Sequence, residues 1–197
     1  MTIRPHAVGL LAAALTSNLA AAQATGSSVL AEYDLNAPLR SYTFHMDVAM
    51  SMRHFPWLHF HMNGDGVYQR GNQYRVTFTG GPPFMPQRHD VDLSILDPSM
   101  WPGRYRYAAA GQQNGDTIFA LEDASNTQLK SGTVALNPSS GIRWVDATYD
   151  DGTHVHMTVT SNDALGYLLP SSIQATVDYP HMPVAADATF TNYTLPH

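Results

Sequence analysis

The sequence predicts a mainly β protein with antiparallel strands and little helix. The first observation behind this is strict alternation: Tyr42, Phe44, Met46, Val48, Met50 and Met52 fall on one face of an extended segment and Thr43, His45, Asp47, Ala49 and Ser51 on the other. The second is punctuation, because Gly71-Asn72, Asn114-Gly115 and Asp151-Gly152 supply the dipeptides that close tight hairpins. The third is the lack of any long segment with apolar residues three and four apart.

The first strand is therefore long and half-buried. Leu58, Phe60 and Met62 resume the alternation after Arg53-His54-Phe55-Pro56, with His59, His61 and Asn63 opposite, so the two segments are expected to form a hairpin. Gly64 and Gly66 follow on the apolar face, and glycines two apart in a strand mark a bend or a close approach to the backbone. Further strands are expected at 73–79, 104–109, 117–122, 132–136, 142–149, 154–160, 171–179 and 188–194, with a loop at Gly80-Gly81-Pro82-Pro83 and a short helix over 95–101. A two-residue Asp151-Gly152 turn would set Thr148 opposite Val155 and gather Ile142, Trp144, Val155, Met157 and Val159 on one face.

The opening residues read as a secretory leader over 1–24. Arg4 supplies the positive charge, Ala7 to Leu15 the apolar stretch, and Ala22-Gln23-Ala24 a small-x-small cleavage site. Thr16-Ser17-Asn18 interrupts the stretch well short of the ~20 apolar residues that span a bilayer. About 170 residues then remain, enough for one domain over 25–197 with one core. The absence of Cys excludes disulfides, thiolate metal sites and the lipobox cysteine of a bacterial lipoprotein. A formal charge of -6 argues against nucleic acid as a partner. A soluble, exported and periplasmic monomer is the expected state.

The order of motifs resembles the LolA/LolB-like family of periplasmic lipoprotein carriers. The resemblance is carried by the long first strand, by Gly66-Val67-Tyr68-Gln69-Arg70-Gly71-Asn72-Gln73-Tyr74-Arg75-Val76, by the turn Leu136-Asn137-Pro138-Ser139-Ser140-Gly141, and by Tyr149-Asp150-Asp151-Gly152. Gly166-Tyr167-Leu168-Leu169-Pro170 and the closing Ala188-Thr189-Phe190-Thr191-Asn192-Tyr193 complete it. It implies one long, strongly curved antiparallel sheet, an incomplete barrel, wrapping an apolar cavity. It also implies a carrier or chaperone that transports a lipid or the acyl chain of a lipoprotein, with a membrane-bound donor or acceptor as a further partner. Of the family's helix ahead of the first strand, only Ser28 to Leu35 remains, and Arg70 and Arg75 are the candidates for its ligand-contacting arginine.

On that reading Phe44, Met46, Val48, Met50, Leu58, Phe60, Met62, Tyr74, Val76, Phe78, Trp144 and Met157 line the cavity. Flexible thioethers among them suit acyl chains of varied length. Burying about 15 methylenes at ~0.8 kcal/mol each would gain on the order of 12 kcal/mol, more than a releasing carrier can use, so partial burial is expected. The rival signal lies in the ten histidines: His59-Phe-His61 and His154-Val-His156 each place two imidazoles on one strand face, and two such pairs on neighbouring strands could chelate zinc or copper. Asp47 and Asp65 could lie beside the first pair. No Gly-x-Ser-x-Gly elbow, His-Glu-x-x-His helix or phosphate loop is present, so no enzymatic activity and no cofactor is expected.

Overall fold

The computed structural model describes residues 30–80, 88–125, 128–179 and 182–196. The expected leader at 1–24 and most of the expected Gly80–Pro83 loop lie outside the described residues. The eleven strands are β1 (Ser41–Met52), β2 (Phe55–Gln69), β3 (Gln73–Thr79), β4 (Arg88–Asp92), β5 (Tyr105–Gln113), β6 (Asp116–Asp123), β7 (Leu129–Asn137), β8 (Gly141–Tyr149), β9 (His154–Ala164), β10 (Tyr167–Tyr179) and β11 (Met182–Thr194). They form one sheet in the order β4-β3-β2-β1-β11-β10-β9-β8-β7-β6-β5, and every pairing is antiparallel. Among the described residues the sheet does not close: β4 and β5 are its edges.

Alternation sets the two faces. Along β1 the burial runs in step with the sequence, with Tyr42, Phe44, Met46 and Val48 inside. Gln113 and Asp116 flank a turn in which Asn114 (φ 54) and Gly115 (φ 87) both take positive φ, which asparagine and glycine tolerate best. The first hairpin turns at Arg53-His54 alone, so β2 begins at Phe55, earlier than the alternation indicates. The expected short helix is two 3-10 turns, Ser94–Leu96 and Pro98–Met100, the second begun by Asp97, whose carboxylate accepts from Ser99 N at 2.9 Å.

The sheet curls strongly. Tyr74 on β3 and Ile142 on β8 line one small cavity although six inter-strand steps separate them, about 29 Å in a flat sheet. The inner face thus formed is packed by two chain segments. The first is Leu30 to Leu39, where Leu30, Tyr33 and Leu39 are buried and the Tyr33 hydroxyl donates to Thr117 Oγ1 at 2.6 Å. Arg70 pairs with Asp34 there, and Asn36 bonds both backbone groups of Leu168, at 2.7 and 3.0 Å. Burial opposes the charge on Arg70, but Asp34 outweighs it and the guanidinium pKa rises. Arg75, by contrast, is exposed and faces Asp90 at 3.8 Å. The second segment is the β4–β5 connection, anchored by Trp101, which is wholly buried and donates from Nε1 to Ile95 O at 3.0 Å.

Candidate functional site

The inner face divides into a closed zone and an open zone. Phe44, Met46, Val48, Met62, Tyr74, Val76 and Phe78 are all buried in one core cluster. Around Tyr42, Tyr68, Tyr74 and Val159 only about 60 Å³ stays empty, well below the ~150 Å³ apolar cavity known to admit benzene. In this arrangement the closed zone holds no acyl chain. Tyr42, Tyr68, Tyr74 and Tyr193 all have raised pKa values, chiefly through burial, so their phenols stay neutral. The buried Tyr74 hydroxyl, beside Tyr42, has no hydrogen bond of good geometry.

The open zone lies toward the tip of the first hairpin. Strand register sets Phe60, Met50, Ala186, Ala175 and Met157 side by side in one row across five strands, and all five are half-buried. The next row toward the tip, Met52, Val184, Val177 and Val155, is half-buried too. The row behind, Met62, Val48, Ala188, Ile173 and Val159, is fully buried. Ala186 and Ala175 in mid-row leave a trough between larger neighbours. Past the rows, the tip exposes Phe55 (48%), Trp57 (74%) and Leu58 (37%), with Phe55 and Trp57 in edge contact.

Of the sequence-selected residues, Met50, Phe60 and Met157 thus lie in the open zone and Leu58 at its rim. Trp144 is a correction. The hairpin that contains Asp151-Gly152 turns on three residues, Asp150 to Gly152, because Tyr149 N bonds Thr153 O at 2.9 Å. Thr148 therefore faces His154, not Val155, and a one-residue shift moves a strand's side chains to the other face. Trp144 pairs with Thr158 on the outer face. Ile142 returns inward because a bulge at Arg143 separates the pairs Leu136–Ile142 and Ala135–Trp144. Sequence reasoning missed Val184 and Ala186, since strand β11 starts at Met182, before any alternation is visible, and it left Ala175 and Val177 unassigned although they fall within the expected strand at 171–179.

The histidine chelate is a second correction. His59 and His61 stand on β2, His154 and His156 on β9, and β1, β11 and β10 lie between, about 19 Å across. Among the described residues no group of three His, Asp or Glu side chains could hold a metal ion. Asp146 instead takes both later imidazoles, His154 Nε2 at 2.8 Å and His156 Nδ1 at 3.2 Å. Asp47 and Asp65 flank His45, at 3.6 and 3.0 Å, not the first pair.

The Asp65 hydrogen bond is the main reason the His45 pKa is raised, with Asp47 adding to it. A raised folded-state pKa gives stability that is fully present below the unfolded value of about 6.5 and is lost as pH rises through the folded pKa. His45→Asn should flatten the stability curve just above pH ~6.5 and leave it unchanged well above, which denaturant titrations across that range would read. An unaltered pH profile would refute the coupling.

No protein-family model matches the chain, and no curated protein matches it by sequence. Solved structures do match in shape. A LolA superfamily protein from Nitrosomonas europaea superposes with a TM-score of 0.59 at 10% identity, covering 87% of this chain and 93% of that one. A DUF1329 family protein from Desulfovibrio piger gives 0.58 at 8% identity, over 87% and 92%. A candidate outer membrane lipoprotein-sorting protein domain from Vibrio parahaemolyticus gives 0.57 at 8%, over 85% and 89%. Identities this low speak for the fold and not for a shared activity. The chain has the LolA-like fold: one long antiparallel sheet curled around an apolar inner face and left open at its edges.

Proposed function

We propose that the protein is an exported, non-enzymatic carrier that binds a lipid or the acyl chain of a lipoprotein in the open zone of the inner face. The observation that carries this reading is the pair of half-exposed apolar rows, continuous with the exposed apolar tip. Contiguous apolar surface is kept open to water where something else covers it. Because the closed zone is filled, part of a long chain would be covered and the rest left out, as reversible binding requires. Met50, Met52 and Met157 supply adaptable walls. The lipoprotein-sorting description of the Vibrio parahaemolyticus neighbour agrees with this. Among the described residues no helix is long and apolar enough to cross a membrane.

A fluorescent fatty-acid probe tests the reading. Met50→Glu places a carboxylate mid-row and should weaken probe binding by about tenfold or more with circular dichroism unchanged. The double change His59→Ala and His61→Ala, on the outer face, should leave binding as it is. A folded Met50→Glu that binds like the unaltered protein would sink the site. Export is checked by intact mass, with a new N-terminus expected within Ala22 to Gly26.

A further inference from the structure

The bulge at Arg143, next to the outward-facing Trp144, borders a polar depression of about 490 Å³ on the outer face, at the end of the sheet away from the first hairpin's tip. Bulges recur beside functional sites because the extra residue re-aims a side chain. Here the extra residue is Arg143. Arg143 stands exposed with no hydrogen bond or ion pair to the described residues, and Trp144 is half-exposed on the outer face, in register with Ala135 and Ile118 on one side and Thr158 on the other. His156 packs against the indole, with ring centroids 6.4 Å apart and planes at 28°, and is itself held by Asp146 at 3.2 Å. The indole N–H donates to no group of the described chain.

The rim is ordered. Asn137 Nδ2 donates to Asp116 Oδ1 at 2.8 Å, and Asn137 Oδ1 accepts from Ser139 N at 3.0 Å and Ser139 Oγ at 2.8 Å. Asn114, Ser140 and Thr158 complete the lining. We infer that this depression is a binding site for a neutral saccharide, distinct from the apolar zone and independent of the lipid reading.

The chemistry of the lining selects that class. A pyranose ring has one face of C–H groups, which stacks on an aromatic plane, and an equatorial rim of hydroxyls that each donate and accept. The site offers one aromatic surface, Trp144, encircled by amide, hydroxyl, carboxylate and guanidinium groups. Asp116 and Arg143 bring one charge of each sign, so a neutral ligand meets no net field. A nucleotide would stack equally well, but its phosphates would find one cation and an opposing carboxylate. The volume falls within the ~300–1,000 Å³ of small-molecule sites.

Chitotetraose and maltotetraose are the probes, titrated to millimolar concentration into the full chain with ¹⁵N-labelled indoles. The protein has three tryptophans, so three indole signals report, and Trp144→Phe assigns the relevant one. At least one probe should shift the Trp144 signal and leave those of Trp57 and Trp101 in place. Arg143→Ala, on an exposed side chain, should weaken that binding by about tenfold. Trp144→Ala should abolish it with circular dichroism unchanged. If neither sugar moves the Trp144 signal, or if binding survives in a folded Trp144→Ala protein, the inference is wrong. Fatty-acid probe binding is unaffected by either variant, so the two sites fail separately.

Discussion

Replacing Trp101 with Ala should lower the unfolding free energy by about 3–5 kcal/mol, the cost typical of emptying a large aromatic site in a core. The ring has no exposure and meets Phe119 and Tyr107 at centroid distances of 5.8 and 6.0 Å, and its N–H satisfies Ile95 O. Removing it opens a void and strands that carbonyl together. The β4–β5 connection cannot collapse into the gap, because Leu93, Ile95 and Met100 are already buried on its other sides. Urea titration should show the midpoint falling with an unchanged slope. A loss below about 1 kcal/mol would mean that the connection does not hold the inner face together.

Gly66→Ala should cost about 3 kcal/mol, near the top of the range for overpacking a core. A Cβ at this position would fall 2.0 to 2.3 Å from three atoms of the Phe44 ring. The ring has nowhere to go: Tyr74, Phe190 and Tyr193 surround it with centroids 5.9, 5.4 and 6.0 Å away. Strand register makes the contact unavoidable, since Gly66 lies between Phe44 on β1 and Val76 on β3. Phe44→Leu in the Gly66→Ala background should restore part of the loss, and a double-mutant cycle measures how much. Additive costs would show that the steric contact is not the cause.

The close approach at Gly66 was legible in the sequence, because a glycine that takes the place of an apolar residue in mid-alternation marks a spot where no side chain fits. The first hairpin was legible for a related reason: one buried face imposes period two along both of its strands. What escaped was decided by single residues or by distant ones. Trp144 faces outward because a loop has three residues where two also satisfy Asp-Gly, and Ile142 faces inward because Arg143 bulges, and neither leaves a compositional trace. Strand β4, Arg88-His89-Asp90-Val91-Asp92, carries no apolar alternation and owes its existence to the free edge of β3. The open zone draws Val177 and Val184 from β10 and β11, and only the pairing of β1 with β11 brings them beside Met52. That same pairing order separates the two histidine pairs.

That pairing also governs how the chain can reach this state. Every other strand contact joins sequence neighbours, so β1–β4 and β5–β11 are two meanders that can form by successive local hairpins. The seam between β1 and β11 joins Met52 to Val184 and closes a loop of well over a hundred residues, at an entropic cost of about 4 kcal/mol. Closure of that seam is therefore expected to be the slowest step of sheet assembly. The open apolar rows cross it, with Met50 on one side and Ala186 on the other. A ligand bound along the rows, as proposed above, would touch both meanders at once and, by mass action, favour the closed seam. Loading would then add to the free energy that holds the two meanders together.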